Sequence, residues 1–365
     1  MAARWAGGGR PSPWHGHPAA AHHGHPGGGA AGSTDAARGA AGLLRRRLGA
    51  PLRRLGRTCR LARPLFVLAP PRSGSTLLFD ALAETDRFHL YPRENDAVWW
   101  RLFPPARLAE PSDWVGATDV KRVGPRAVRQ AFRDQVLGGY RGRWSGLQRL
   151  ARLASLVFQP GRPFLDKTIA NCFHLDALRL AFPTARYVLL LREPRANVSS
   201  MIEGWAHPGR FGKPWLAAHL RALPERTVDH WCYPAPPGWS RVGARPLAEI
   251  CAWSWRRHVE AALDGLGRAG VEPIWVRYER LAAEPAEVLG ALADRLDVRV
   301  SRQLRARWRR RPLARTTVSP PEPGKWRRLH GPAIEAVTPT LVETARRIGY
   351  NVSGGPERPE HRGHG

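Results

Sequence analysis

The chain has 365 residues, 43% of them apolar and 24% charged, with 58 Lys and Arg against 30 Asp and Glu for a net charge of +28. That is too apolar for a chain disordered throughout, and the length suits one or two domains. No stretch approaches the roughly 18 consecutive apolar residues of a membrane-spanning helix; the four cysteines (Cys59, Cys172, Cys232, Cys251) lie far apart without a C-x-x-C spacing, which excludes a disulfide scaffold and predicts reduced thiols, one or two of them buried.

In chain order, residues 1–42 are rich in Gly, Ala, His and Pro and almost free of large aliphatic residues. Such sequence cannot bury enough surface to offset the entropy of ordering, so a disordered tail is expected; it also lacks the apolar h-region of a secretory signal. Its histidines (His15, His17, His22, His23, His25) read as compositional bias rather than a metal site. Residues 43–63 interleave Arg with Leu, broken at Gly49-Ala50-Pro51, and are expected to form a basic lead-in with a solvated face. Residues 1–63 carry 11 arginines and one acid, Asp35, so +18 of the charge lies on the remainder. The expected folded part is therefore basic too, which suits a polyanionic ligand.

From Pro64 strands alternate with helices. Leu65-Phe66-Val67-Leu68-Ala69, closed by Pro70-Pro71, fits a strand buried on both faces, and a helix over 74–84 follows. Pro163-Phe164-Leu165 is a second strand, and Asn171 is expected to cap a helix carrying Leu175, Leu178 and Phe182. Tyr187-Val188-Leu189-Leu190-Leu191 is the clearest strand, followed by a helix through Val198, Met201 and Ile202. A strand over 273–278, a helix over 287–296 and a last helix over 339–348 complete the pattern. The expected fold is α/β, with one central, mostly parallel sheet flanked by helices. Six tryptophans lie between residues 205 and 255 amid prolines. They read as loop packing onto a core, with an aromatic lid over a ring-shaped acceptor as the alternative. Trp253, Trp255 and Trp326 are expected to be core or loop anchors.

The first strand-to-helix junction carries the chemistry. Ala69-Pro70-Pro71-Arg72-Ser73-Gly74-Ser75-Thr76 offers backbone N–H groups and a helix dipole to an anion. Against the template G-x-x-x-x-G-K-[ST], Gly74 is the second Gly and Thr76 the hydroxyl, while Ala69 and Ser75 replace the first Gly and the Lys. Arg72 is a substitute cation. Ser75 at the lysine position argues against a P-loop kinase or NTPase, and no compact recognition motif supports a specific nucleic-acid partner.

Pro71-Arg72-Ser73-Gly74-Ser75-Thr76-Leu77-Leu78 resembles the 5′-phosphosulfate loop of the sulfotransferases that use 3′-phosphoadenosine 5′-phosphosulfate (PAPS). The stretch over 182–202 is similar to that family's 3′-phosphate segment, with Arg192 leaving a strand and Ser200 eight residues later on the next helix. Asp166-Lys167-Thr168 resembles its lysine-bearing strand end, and Val276-Arg277-Tyr278-Glu279-Arg280-Leu281 its V-x-Y-E-x-L strand with a Tyr by the nucleotide. Thr316-Thr317-Val318-Ser319 and Gly324-Lys325-Trp326 resemble the C-terminal loop that closes over the cofactor. The five segments keep the family's order across about residues 64–350. Met201-Ile202, Lys325-Trp326 and Ile348-Gly349-Tyr350 look most like the tyrosylprotein and carbohydrate-type branch, which carries an Arg where Gly204 stands here and a longer loop between Thr317 and Lys325.

The resemblance implies the P-loop nucleoside triphosphate hydrolase-like fold and in-line sulfuryl transfer from PAPS to an acceptor hydroxyl, without a metal. It implies that Arg72 and Lys167 stabilise the transferring group, that Ser73, Gly74, Ser75 and Thr76 hold the 5′-phosphate, and that Arg192 and Ser200 hold the 3′-phosphate. Tyr278, Thr317, Ser319 and Lys325 complete the nucleotide site, and Glu94, twenty residues beyond Gly74, is the expected base, with Asp96 and His89 as rivals. The expected organisation is a tail and lead-in over 1–63, a catalytic domain over 64–350 and a second tail over 351–365. The acceptor is expected to be a small molecule or glycan, with lipid and peptide tyrosine also open, and a cytoplasmic location is expected. The number of subunits stays open.

Overall fold

The computed structural model describes residues 61–105, 111–138, 155, 158, 159, 161–310 and 313–352. The expected N-terminal tail, its His tract, most of the lead-in and nearly all of the C-terminal tail lie outside the described residues, as does Cys59. Five strands make one sheet: β1 (Ala62–Leu68), β2 (His89–Leu90), β3 (Pro163–Asp166), β4 (Arg186–Leu191) and β5 (Ile274–Arg277). Their order is β2-β3-β1-β4-β5 and every pair is parallel. β1 begins inside the expected lead-in.

The uninterrupted apolar runs serve two cores at once. Phe66, Leu68, Phe164, Tyr187, Leu189 and Leu191 point to one face of the sheet, and Leu65, Val67, Leu165, Val188 and Leu190 to the other. A strand's side chains alternate, so a strand covered on both faces must be apolar at every position. The first face is covered by helices at Leu175–Ala181, Pro194–Trp205, Leu247–Ala269 and Lys325–Arg347, and the second by Ser75–Ala83 and Pro285–Arg295. We label these in chain order α1 (Ser75–Ala83), α2 (Asp96–Leu102), α3 (Leu175–Ala181), α4 (Pro194–Trp205), α5 (Leu247–Ala269), α6 (Tyr278–Ala283), α7 (Pro285–Arg295) and α8 (Lys325–Arg347).

Three expectations about elements need correction. Asn171 does not cap α3: it lies in a 3-10 turn over Ile169–Phe173, its amide is turned onto Asp166, and His174 holds the cap position. The last helix starts at Lys325 rather than Pro339. The backbone at His330 leaves helical angles, so Pro332 falls in the first turn after a break, where a missing N–H costs nothing. The long helix α5 was hidden among the tryptophans, although Cys251, Trp255, Val259, Ala262 and Leu266 recur at helical spacing along its buried side. Trp205, Trp231, Trp239 and Trp255 are buried rather than set in a lid; Trp231 and Trp239 pack loop and turn onto the core as expected, whereas Trp205 and Trp255 belong to α4 and α5. Trp326 is buried and Trp253 packs on the same core, as core anchors should. Cys172, Cys232 and Cys251 are all buried free thiols, more than the one or two expected.

Candidate functional site

The strand order places the site. The chain leaves β1 toward β2 and β3 on one side and leaves β4 toward β5 on the other. A crevice therefore opens between the carboxyl ends of β1 and β4, where parallel sheets hold their ligands. Four of the expected residues leave strands at this edge: Arg72 after β1, Lys167 after β3, Arg192 after β4 and Tyr278 after β5.

The junction after β1 is tightly wound. Arg72 and Gly74 both adopt left-handed angles, at φ 67° and 93°. Gly74 is required twice over, because a Cβ there would also lie 2.7 Å from Cε2 of the Tyr278 ring. The Ser73 hydroxyl donates to the Pro70 carbonyl at 2.6 Å and the Asn197 amide donates to the Pro71 carbonyl at 2.6 Å, so α4 braces the loop. Ser73 thus spends its side chain on the loop itself, leaving only its backbone to face an anion. No side chain caps α1, whose first-turn N–H groups have no intrahelical partner. The Ser75 hydroxyl has no hydrogen-bond partner among the described residues, and neither has that of Ser200 in the second turn of α4, although both side chains are largely buried.

The cations meet this loop from two sides. Arg192 donates Nη1 to the Arg72 carbonyl at 3.2 Å and lies over the Tyr278 ring at 4.6 Å. Arg72 lies over Phe211 at 4.8 Å and donates Nη1 to the Thr316 carbonyl at 2.7 Å, while its buried Nε has no partner among the described residues. Burial lowers its pKa, and the nearby Arg192 and Arg210 act in the same direction. Lys167 Nζ lies 2.7 Å from Glu94 Oε1 and 3.4 Å from Thr76 Oγ1. The three side chains therefore form one cluster at the mouth of the loop. The rivals of Glu94 are engaged elsewhere. Asp96 pairs with Lys213 at 2.8 Å, and His89 meets the Gln159 carbonyl at 3.2 Å on the β2 side of the sheet. Among the described residues no three His, Cys, Asp or Glu side chains come together as a metal site.

A profile of the Sulfotransferase family matches residues 64–302. The chain belongs to that family. Its members move a sulfuryl group from PAPS to an acceptor, and this sulfotransferase is a transferase of that type. Similar solved structures include the sulfotransferase STF9 from Mycobacterium avium (16% identity, 81% of this chain and 79% of that one, TM-score 0.43). Another is a sulfotransferase from Alicyclobacillus acidocaldarius (16% identity, 80% and 98%, TM-score 0.41). A third is the sulfotransferase domain of the Synechococcus PCC 7002 olefin synthase (23% identity, 81% and 98%, TM-score 0.42). No curated protein matches the chain. Among the described residues no helix is long and apolar enough to cross a membrane.

The C-terminal loop of the sulfotransferase meets the site through different atoms from those expected. Thr316, not Thr317, touches Arg72, and it does so by its carbonyl. Arg315 pairs with Asp80 of α1 at 3.2 Å and donates to the Pro92 carbonyl at 2.9 Å, so the loop spans from Arg72 to the Glu94 segment. Ser319 donates to Glu203 of α4, Lys325 donates to Ser319, and Lys325 lies 3.2 Å from Glu203. These two residues anchor the loop to α4 through Glu203, whose charge in turn acts on Arg72.

Sequence reasoning missed the residues behind Arg72. Tyr233 has a left-handed φ of 69°, packs its ring tilted against Phe211 with centroids 5.6 Å apart, and donates its hydroxyl to the Met201 carbonyl at 2.9 Å. Gly204 makes this possible. A Cβ there would sit 3.3 Å from Tyr233 Cζ, closer still to Oη, and 3.4 Å from Arg72 Cδ. The departure at Gly204 noted in the sequence is therefore a packing requirement. Nothing near Tyr233 or Phe211 in the sequence announces a partner more than a hundred residues away.

Proposed function

We propose that the β1 junction, Arg192 and Tyr278 bind PAPS and that the Glu94–Lys167–Thr76 cluster is where its sulfuryl group meets the acceptor. The observation that carries this reading is Lys167: one ammonium reaches both the Glu94 carboxylate and the hydroxyl of the phosphate loop. The donor set also fits the ligand. Among the described residues the buried Arg72 Nε has no partner and the largely buried Ser75 and Ser200 hydroxyls make no hydrogen bond, which suits a site for two phosphate groups.

In this reading the acceptor oxygen attacks sulfur in line. The new O–S bond forms as the S–O bond to the 5′-phosphate breaks, and 3′,5′-ADP leaves with the electron pair. Glu94 takes the acceptor's proton, while Lys167 and Arg72 stabilise charge on the transferring group and leaving oxygen. The amides of Ser73 to Thr76 hold the 5′-phosphate, and Arg192 with Ser200 holds the 3′-phosphate. Thr317, Ser319 and Lys325 act by keeping the C-terminal loop in place.

The same reading takes residues 64–350 as the catalytic unit and needs no metal, because positioning and fixed cations suffice. It assigns a small-molecule or glycan acceptor, no specific nucleic acid and a cytoplasmic setting. The test uses purified protein with radiolabelled PAPS and an extract of its own source, alongside calorimetric titration with 3′,5′-ADP. Label transferred to an acceptor and heat on titration are expected. A folded protein that gives no heat sinks the nucleotide site.

A further inference from the structure

Glu94 and Lys167 are flanked in sequence by residues of a single buried hydrogen-bonded knot. At its centre is Asp166, the last residue of β3, which is 0% exposed. Asn95, next to Glu94, donates its amide to Asp166 Oδ1, and Thr168, next to Lys167, donates its hydroxyl to the same oxygen at 3.1 Å. Asn171 donates to Asp166 Oδ2 at 2.5 Å. The Asn95 backbone N–H donates to Thr168 Oγ1 at 2.7 Å, so Asn95 is held at two points. Asn171 is fixed in turn by Trp99, whose Nε1 donates to its Oδ1 at 3.2 Å.

We propose that Asp166 is a positioning residue for sulfuryl transfer: by holding Asn95 and Thr168 together it sets the separation of the Glu94 and Lys167 side chains. The proposal rests on the reading of Glu94 and Lys167 as the reacting pair. Its physical basis is the donor count. Three side-chain donors converge on Asp166, and an ionised carboxylate is acceptor-only with room for all of them, whereas an amide would turn an N–H toward one. A buried carboxylate without a cation against it is costly, so packing alone gives no reason to keep one here. Burial raises the Asp166 acid to about 6, and Asn95, Asn171 and Thr168 oppose the shift. Neither β1 nor β4, which carry the nucleotide-facing residues, contributes a side chain to the knot.

The test separates positioning from binding. In Asp166→Asn, kcat is expected to fall about 10²-fold, the cost of misplacing a reacting group by around 1 Å. Its affinity for 3′,5′-ADP is expected to stay within twofold of the parent. The exchange Asn95→Asp with Asp166→Asn restores one donor facing one acceptor, with Asn171 still served, and is expected to recover at least tenfold of the lost kcat. A folded Asp166→Asn enzyme with unchanged kcat overturns the proposal, as does an exchange that folds but recovers nothing. Should the variants at position 166 fail to fold, Thr168→Val keeps the volume and removes both hydrogen bonds of Oγ1, the one to Asp166 and the one from the Asn95 N–H. It is expected to lower kcat about tenfold with nucleotide affinity intact, and an unchanged kcat overturns the proposal there too. Glu94→Gln serves as the control: if that variant transfers sulfuryl as the parent does, it is the assignment of the reacting pair that has failed.

Discussion

The carboxyl edge of the sheet and the segment from Gly204 to Val242 both bear on Arg72, but they do so by different physics. The edge is built from corners. A strand ends, a few residues turn, a helix begins, and the chemistry sits within that short span. The second region supplies Phe211, Tyr233 and the space at Gly204, which support Arg72 from behind through contacts between residues far apart in sequence. The comparison teaches that a motif can announce which cation serves a site, while the residues that aim the cation leave no local mark.

The largest effects should come from the edge. Glu94→Gln is expected to lower kcat by about 10²–10⁴-fold, the usual worth of a general base, with 3′,5′-ADP affinity preserved. Turnover measured beside calorimetry checks this, and a joint loss of both would break the division between acceptor side and nucleotide side. Arg72→Ala should cost about 10²–10³-fold in kcat, as removal of a single charge-stabilising donor does. Unchanged transfer by that variant would remove Arg72 from the cradle.

Gly204→Ala probes the second region. The added methyl meets Tyr233 and Arg72, so a loss of about 1–3 kcal/mol is expected from overpacking, read as a lower urea midpoint with an unchanged slope. Turnover should fall with it, since the same methyl presses on Arg72. A stable, fully active variant would show that this wall does not aim the arginine.

Acid sensitivity separates the regions less sharply. Burial pushes His174 and His258 down to about 3 from an ordinary value of 6.5. The unfolded chain then takes up protons that the native state refuses, so stability is complete above about pH 6.5 and declines as pH falls toward 3. Asp166 acts in the opposite sense. Its acid is raised from 3.8 to about 6, so its contribution favours the fold at low pH and is lost as pH rises through 6. Burial raises the acids of Asp80, Glu84 and Asp113 as well, so these oppose the histidines together with Asp166, and the histidines' own part is the fall in urea midpoint between about pH 7 and pH 4 that a His174→Gln, His258→Gln variant is expected to lose. An unaltered pH dependence in that variant would show that the histidines titrate normally. The smallest effect is expected for Trp275→Ala on the β5 edge, where the ring is 44% exposed. Its unfolding free energy should change by no more than about 0.5 kcal/mol, with turnover unaltered.

Much of the sheet and of the nucleotide-facing edge was legible. Leu65 to Ala69 and Tyr187 to Leu191 could only be strands buried on both faces, and Arg72, Gly74, Lys167 and Arg192 each sit at the end of such a run. Glu94 came from the resemblance to the family's acidic base rather than from any local pattern, and the structure brings it to Lys167 rather than to its neighbour Arg93. The roles of Ser73, Ser319 and Lys325 were less readable, because one side chain can serve either a ligand or its own loop. Their hydroxyl and ammonium groups are turned to the protein: Ser73 to Pro70, and the other two to Glu203.

Composition and hydrophobic period determined the α/β class, the succession of the main strands along the chain and the strand-to-helix form of the first corner. Those properties follow from residues within a few positions of one another. Only the tertiary structure decided that Asp166 ties Asn95 to Thr168, that Tyr233 fills the room left at Gly204, and that the Thr316 carbonyl receives Arg72. Each joins elements separated by many residues, and such pairings are selected by close packing and by the satisfaction of buried polar groups, which no local pattern records.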